Sequence, residues 1–549
     1  MLHISVHQYP ELLQLITCFT ILDIVTVYPQ IRLVVRVVSV ADEQSNGLFD
    51  RFMKWLDDRL GIYGHTLRPA PRYAYSIDYW LGGLVLSAFI LEVITGALVA
   101  LYYTPSDPYT STTYLISKVP YGAFLFSLHS WGAYAMVFLL LVHMTRNFFV
   151  GAYRQPREIM WIVGAGLAGL TLTEAYLGYS LPYNLISWVA TTTGLNLFSY
   201  MPFNLGYLIS LFTVVNPDQP GIMSGVDPLV QRFFVFHWIV GGLILALIGL
   251  HLYIFEKHGI TPPVSQVKPG DPELIDEYQD KLKSDPKWEL QPLMRSIGMV
   301  IMIFLLTFGA IFLIAGAIPF NIVIIGGTPK YIMPAFNPVE AAQTPPVPDW
   351  YFLFIYFFYK SVSPTNASLI FLGWVVVTVL FPFIEEYVFR HKAPHPALRP
   401  ASIAIGTGFI VSFIVNSVWA ALTPGRDIGP IGTEVDGVIF LVCFAVIWPL
   451  LRYVAQPRVL AKWQSSPLTD GGVVIEYKER RILSGLLVLL INGLVLSGLI
   501  YSLYEVFILS NNPIINQFLI GQYLGFSLVL FSISIFINVV MGIGKSKNI

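Results

Sequence analysis

The sequence predicts an all-α fold, a polytopic membrane bundle of about ten transmembrane helices. Of its 549 residues, 55% are hydrophobic and only 12% are charged, whereas about a quarter of the residues of a typical soluble chain are charged. A transmembrane helix needs about 20 predominantly apolar residues, and ten segments meet this condition. They are 80–103, 127–149, 160–180, 233–255, 297–318, 366–388, 403–422, 436–454, 483–504 and 518–541. This composition excludes an ordinary cytosolic enzyme, a nucleic-acid-binding protein and a disordered scaffold.

The residues before the first segment divide into two parts. Residues 1–48 include an apolar stretch, but Asp23, Arg32 and Arg36 interrupt it, so we do not count it as a span. It lacks a small-residue cleavage site and therefore does not resemble a signal peptide. Residues 49–60 combine apolar and charged positions, which predicts an amphipathic arm on the membrane surface, extending over 49–79.

Basic residues are distributed unevenly among the loops. Lysine and arginine are frequent after the even-numbered segments and in the arm, and they are scarce after the odd-numbered segments. Because basic loops stay on the cytoplasmic side, we expect a multi-pass protein of the cell (plasma) membrane with both termini in the cytoplasm. The longest loops on the opposite side, 181–232 and 319–365, contain semi-apolar stretches that predict surface helices over the outer face.

Four of the ten histidines lie inside predicted spans, His129 and His143 in the second and His237 and His251 in the fourth. Each pair is separated by 14 residues, so its members share one helix face and lie about 21 Å apart along the axis. The two spans run in the same direction. His129 and His237, here called the outer pair, are therefore level near the outer face. His143 and His251, the inner pair, are level near the inner face.

Two stacked pairs of imidazoles in a helix bundle suit the irons of two non-covalent haems. This predicts a four-helix di-haem core. Buried histidines satisfied by backbone carbonyls are a simpler explanation, but the identical spacing of the two pairs disfavours it. A zinc or copper site is a second alternative, and it is disfavoured because we expect no carboxylate or thiolate nearby to complete a tetrahedron.

Glycines repeat the spacing of the histidines. Gly82 and Gly96 in the first span, and Gly164 and Gly178 in the third, are also 14 residues apart. A flat porphyrin needs neighbouring helices without side chains where it crosses, and glycine permits that approach. The alternative is ordinary close packing of membrane helices, in which glycine is common.

Two arginines and two cysteines bear on the cofactors. Arg146, close to His143, and Arg232, close to His237, are candidates to pair with the propionates of the inner and outer haem. Interfacial arginines that reach the headgroups are the alternative. Cys18 and Cys443 cannot supply an iron–sulfur cluster or attach a haem covalently, so such a cofactor would belong to another subunit.

From about residue 50 to about 455, these features resemble cytochrome b, the membrane subunit of the quinol-oxidising cytochrome bc complexes. Besides the four histidines and four glycines, the similar motifs are Trp55-Leu56-Asp57-Asp58-Arg59, Gly178-Tyr179-Ser180-Leu181-Pro182, Arg232-Phe233-Phe234-Val235-Phe236-His237 and Pro348-Asp349-Trp350-Tyr351. The last motif is the most specific, because the family usually has Pro-Glu-Trp-Tyr in its outer quinol site.

The resemblance implies roles for three residues after the fifth span. Asp349 would be the general base that takes a proton from quinol, beside Tyr351 in an aromatic wall suited to a quinone ring. Tyr356 matches a position that meets the mobile Rieske iron–sulfur protein in the family. A simpler explanation is that Asp349 only caps a surface helix at its N-terminus.

The sequence also departs from the family. Asp349 is one methylene shorter than the usual glutamate, and Tyr183 and Ala190 stand where Trp and Gly are common. Glu256 and Ser296 stand where the inner quinone site usually has His and Asp, which puts quinone reduction there in doubt. Two spans exceed the usual eight, which resembles lengthened archaeal cytochrome b-like subunits, some of which belong to quinol oxidase supercomplexes. The resemblance implies b-type haem or, alternatively, a-type haem.

We therefore expect an electron-transfer subunit that oxidises quinol at an outer site and passes electrons through two haems. Its implied partners are a Rieske protein, further respiratory subunits such as a cytochrome or terminal oxidase, quinol and the lipid bilayer, and a dimer is left open. The alternatives are a di-haem anchor of another dehydrogenase and a transporter with a histidine proton relay. The predicted regions are 1–48 (extension), 49–79 (arm), 80–258 (di-haem domain), 259–455 (quinol-site domain) and 456–549 (two extra spans).

Overall fold

The computed structural model describes residues 72–202, 229–261, 263–264, 293–325, 328–331, 333–391, 395–465, 490, 493–494, 497 and 513–537, all in one compact unit, 71–549. Its α-helices are α1 (Leu81–Ala100), α2 (Pro108–Lys118), α3 (Gly122–Val150), α4 (Glu158–Ser180), α5 (Leu185–Phe198), α6 (Leu229–His258), α7 (Leu293–Ala317), α8 (Pro338–Ala341), α9 (Leu353–Ser361), α10 (Pro364–Phe383), α11 (Pro400–Leu422), α12 (Ile431–Pro449), α13 (Gln456–Ser465) and α14 (Pro513–Ile535). Turns of 3₁₀ helix, Arg72–Tyr75 and Ile77–Trp80, precede α1. Six-residue π-helical turns extend α10 (Ile384–Phe389) and α12 (Leu450–Ala455).

Nine helices within the described ranges are long and apolar enough to cross a membrane, namely α1, α3, α4, α6, α7, α10, α11, α12 and α14. They coincide with nine of the ten predicted spans, so the all-α membrane fold is confirmed. The remaining predicted span, 483–504, lies almost entirely outside the described residues. So do the extension 1–48 and most of the arm 49–79.

The long helices pack in antiparallel pairs. α1 packs on α3, α4 on α6, and α11 on α12. Gly151 ends α3 with a positive φ of 68°, which turns the chain towards α4. These first four spans bring the segments with the paired glycines next to the segments with the paired histidines.

The last described helix, α14, packs lengthwise against α7. A Cβ atom on Gly525 would lie 2.6 Å from the carbonyl oxygen of Gly309, and one on Gly316 would lie 2.7 Å from the carbonyl oxygen of Phe518. Gln522 Nε2 donates a hydrogen bond of 2.9 Å to Gly316 O. Small residues therefore allow the two backbones to approach closely, as is typical of membrane helix pairs.

The two long loops that were predicted to lie outside contain short helices and strands. The first loop forms α5 and the second forms α8 and α9, so both loops contain the predicted helices, and their place on the outer face stays a prediction. The second loop also contains a short antiparallel hairpin, β1 (Ile322–Ile325) and β2 (Thr328–Tyr331), which the sequence did not predict. Leu185 N donates to Pro334 O at 2.9 Å, so the two loops join at the same end of the bundle.

A buried ionic cluster joins the end of α3 to α10 and α11. Arg399 is 0% exposed and Glu385 is 1% exposed. The guanidinium pairs with the Glu385 carboxylate and donates to the carbonyl oxygens of Phe148 and Phe149, at 3.1 and 3.0 Å. The Tyr153 hydroxyl donates to the same carboxylate. These contacts hold the first four spans to the later ones at one end of the bundle.

We expect Glu385→Gln to destabilise the folded protein by about 3–5 kcal/mol, because it leaves the Arg399 charge buried without its partner. The measurement is the apparent melting temperature of the purified chain in detergent. Glu386→Gln is the matched control, since it removes a neighbouring carboxylate outside the cluster. Equal melting temperatures for the two variants would contradict this role.

Candidate functional site

On the α1–α3 side of the core, each intramembrane histidine lies directly over a glycine. A Cβ atom on Gly96 would lie 3.1 Å from Cε1 of His129, and one on Gly82 would lie 3.1 Å from Cε1 of His143. Contacts this short are rare for real Cβ atoms, so the imidazole rings occupy space that only glycine leaves free. Because α1 and α3 are antiparallel, the two contacts lie at opposite ends of the helix pair.

The α4–α6 side repeats the arrangement. A Cβ atom on Gly178 would lie 2.9 Å from Cε1 of His237, and one on Gly164 would lie 3.5 Å from Cε1 of His251. The sequence predicted that the four glycines clear a flat ring. The structure adds that each glycine faces one particular histidine on the neighbouring helix.

The structure also brings histidines from the two sides together. His143 and His251 lie close enough to interact electrostatically. At the other level, His129 interacts in the same way with Glu174 of α4, and His237 with Glu92 of α1. The predicted inner and outer pairs are therefore neighbours in space.

Two glutamates beside the outer pair were missed by the sequence analysis. Glu92 Oε2 lies 3.0 Å from His129 Nδ1, and Glu174 Oε1 lies 3.0 Å from His237 Nδ1. The expectation that no carboxylate lies near the histidines is therefore wrong. The sequence did not reveal these glutamates because the contacts join residues of two different helices. Each glutamate stands four residues before a paired glycine, and this repeat in the sequence could have revealed them. Within the described ranges, no three His, Cys, Asp or Glu side chains are grouped to hold a metal ion.

The two candidate arginines lie near opposite ends of the core. Arg146 pairs with Asp78 at 2.8 Å, and its guanidinium lies 4.2 Å from the centre of the Tyr79 ring. Arg232 lies half-buried in the first turn of α6. A contact of either residue with a haem propionate remains a prediction.

A cavity of about 380 Å³ opens beside Arg146, at the end of the bundle nearest the inner pair. Tyr73, Asp78, Tyr79 and Arg146 are among the residues that line it. Ser296, one of the positions that departs from the family pattern, is buried and shares a hydrogen bond of 2.7 Å with Tyr75. Glu256, the other, lies half-buried near the end of α6. This end of the core therefore combines open space with an ion pair.

Asp349 is held by two tyrosine hydroxyls at the opposite end. Tyr134 of α3 donates to Oδ1 at 2.5 Å, and Tyr351 donates to Oδ2 at 2.8 Å. Asp349 stands at the N-cap position of the 3₁₀ turn Trp350–Phe352, but its side chain makes no capping hydrogen bond. The explanation that this aspartate only caps a helix is therefore wrong. The carboxylate is directed to the phenols instead.

Burial raises the pKa of Asp349, and the hydrogen bonds from Tyr134 and Tyr351 partly oppose this effect. Aromatic rings surround the carboxylate. The Tyr134 ring lies 5.1 Å from Phe320 and 6.5 Å from Trp350, measured between ring centres. Tyr134 was not predicted, because it is 215 residues away from Asp349 in the sequence. The arrangement can accept a proton in a largely apolar pocket.

The remaining predicted positions lie around this pocket. Tyr356 is half-buried in α9, with Lys360 Nζ 5.2 Å from its ring centre. Tyr183, which replaces the usual Trp, is buried against Trp188 and Phe336, with ring centres 4.7 and 5.3 Å apart. Helix α5 is thereby fixed to the loop that leads to Asp349.

Known proteins that are similar to this chain in sequence or fold include cytochromes b and b6 and a respiratory complex III. A family model described as "Cytochrome b(N-terminal)/b6/petB" matches residues 134–340. Cytochrome b of Sulfolobus acidocaldarius is 30% identical over 458 residues, covering 79% of this chain and 76% of that protein. Cytochrome b6 of Heliomicrobium gestii is 31% identical over 224 residues, covering 39% of this chain and all of that protein. A solved structure titled "Hyperthermophilic respiratory Complex III" has the same fold, with a TM-score of 0.55, 23% identity and coverage of 72% of this chain and 97% of that one.

The helix bundle and its paired histidines define an integral membrane protein of the electron-transfer class. The chain belongs to the cytochrome b family. Membership implies haem as cofactor and a place as one subunit of a respiratory oxidoreductase. The residues present fit haem, because the four glycines leave bare backbone beside the four imidazoles, where a side chain would fill the space.

We expect Gly178→Val to lower the haem content of the purified chain by about half, because its side chain would enter the space beside only one imidazole pair. The pyridine haemochrome assay measures this content. Gly169→Val on the same helix is the control, since a Cβ atom there meets nothing within 4 Å. Unchanged haem in the Gly178 variant would contradict the proposed clearance.

Proposed function

We propose that this chain oxidises quinol at the site around Asp349 and passes electrons through two stacked haems. His129 and His237 would ligate the iron of the outer haem, and His143 and His251 that of the inner haem. Arg146 and Arg232 would neutralise their propionates. The observation that supports quinol oxidation best is the half-buried Asp349 carboxylate, held by two phenols inside an aromatic wall.

In this proposal Asp349 accepts a proton from the quinol hydroxyl. The hydroxyls of Tyr134 and Tyr351 hold the carboxylate in place before quinol arrives, one on each oxygen. Each oxygen keeps a second lone pair that can accept the quinol hydroxyl. The rings of Trp350, Tyr351 and Phe320 exclude water around the transferred proton. Bound haem supplies the one-electron acceptor chemistry.

The sidedness and partners belong to the same proposal. The basic loops favour a cell membrane protein with both termini in the cytoplasm. In that orientation Asp349 would lie at the outer face, where quinol protons would leave. Tyr356, in the helix α9 that follows Asp349, is the expected contact of a Rieske protein. Further respiratory subunits, a cytochrome or a terminal oxidase, would receive the electrons.

We expect Asp349→Asn to slow quinol oxidation by about 10²-fold or more, because it removes the general base. The assay is quinol turnover by the purified complex, with haem content measured in parallel. Glu340→Gln is the control, since this exposed carboxylate lies in the same loop. Normal turnover in an Asp349→Asn protein with full haem would overturn the proposal.

The activity should also depend on pH in a defined direction. Because burial raises the pKa of Asp349, its carboxyl group stays protonated at pH values where an exposed aspartate is ionised. Only the ionised form can accept the quinol proton, so turnover should fall as pH decreases through this raised pKa. A pH profile of kcat/KM measures the effect. An acid limb at the pKa of an exposed aspartate would show that another group is titrating.

A further inference from the structure

Two membrane-embedded carboxylates contact the outer pair and not the inner pair. Glu92 and Glu174 occupy equivalent places on α1 and α4, each four residues before the glycine that faces the contacted histidine. Each has a carboxylate oxygen 3.0 Å from an imidazole Nδ1. Ionisable side chains inside a membrane are rare and usually functional. Their repetition in both halves of the core indicates a shared purpose.

The structure provides room for both carboxylates. Gly132 lies one turn from His129 on α3, and a Cβ atom there would collide with Glu92 Oε1. Gly241 lies one turn from His237 on α6, and a Cβ atom there would be 3.2 Å from Glu174 Oε1. The glycine spaces are therefore matched to the glutamates as well as to the imidazoles.

The hydrogen-bonding capacity of these carboxylates is incompletely used. Oε1 of Glu92 and Oε2 of Glu174 are buried, and neither has a hydrogen-bond partner within the described part of the chain. The Glu174 contact has the distance of a hydrogen bond to His237 Nδ1 but not its alignment. A buried carboxylate needs compensating charge, and the imidazoles of the outer pair are the groups nearest to it.

The inner pair has different surroundings. The ring nitrogens of His143 face the Asn147 amide, with Nε2 3.2 Å from Nδ2. Neither His143 nor His251 contacts a carboxylate among the residues that the structure describes. At the outer pair, Thr95 Oγ1 also lies 3.0 Å from His129 Nδ1, so that nitrogen faces both a hydroxyl and a carboxylate.

We propose that Glu92 and Glu174 are positioning residues that lower the reduction potential of the outer haem relative to the inner haem. The inference rests on the proposed haem ligation. When Nε2 of a neutral imidazole binds iron, Nδ1 bears the proton and donates towards the carboxylate. A carboxylate in this place orients the ring and increases its basicity, which favours the ferric state. Transfer of an electron from the outer haem to the inner haem would then be downhill in free energy.

The test is a redox titration of the haem-loaded, full-length protein, followed by the optical spectrum of each haem. Each of Glu92→Gln and Glu174→Gln should shift the ferrous–ferric equilibrium of the outer haem about tenfold towards ferrous, a rise of about 59 mV for one electron. The inner haem should keep its potential. Asp436→Asn is the matched control, because Asp436 contacts Ser412 and Asn416 in α11, and it should move neither haem.

The results that would overturn this inference differ from those that would overturn the proposed function. An unmoved outer potential, or an equal shift of both haems, refutes the role of the glutamates. A wild-type chain without haem would refute the proposed function itself. If a glutamine variant does not assemble, Glu92→Asp and Glu174→Asp keep the charge but shorten its reach. They should bind haem and raise the outer potential by less than about 59 mV, and no shift at all would also refute the inference.

Discussion

The contact between an imidazole ring and bare glycine backbone constrains the whole core. On α1 and α3 the glycines and histidines share the same spacing, so Gly82 meets His143 where Gly96 meets His129. Two antiparallel helices satisfy both contacts in only one register, because a slide of one turn would place side chains against both rings. On α4 and α6 the same argument holds for Gly178 and His237, whereas Gly164 meets His251 at an ordinary van der Waals distance. Helix spacing, register and the level of the histidines therefore follow from one steric condition.

The features that the sequence predicted well are those encoded locally. Nine spans follow from continuous apolar stretches, and the shared face of His129 and His143 follows from helical periodicity alone. Contacts between helices were less accessible. Glu92 touches a histidine 37 positions away and Tyr134 binds Asp349 from 215 positions away. No periodicity within a single helix indicates such a contact, although the spacing of Glu92 and Glu174 from their glycines was visible.

The packing of helices outside the core could not be predicted from the sequence either, for physical reasons. The hydropathy of 518–541 predicts a helix but not its neighbour, which is selected by small residues on both α7 and α14. The hairpin β1–β2 lies in a loop whose apolar residues suggest a helix equally well. The Arg399 cluster joins segments that look like ordinary basic loops. In each case the deciding partner lies far away in the chain.

The distribution of charge along the core gives the two ends different chemistry. At the outer pair, the carboxylates of Glu92 and Glu174 add negative charge beside the imidazoles. At the inner pair, His143 experiences the positive charge of Arg146, which Asp78 neutralises in part. Negative charge disfavours an added electron, and positive charge favours it. Because Glu92 and Glu174 lie within membrane-spanning helices, where the dielectric constant is low, their effect is larger than in water. The backbone geometry repeats almost symmetrically at the two levels, so under the proposed haem ligation the direction of electron transfer would depend on these few side chains.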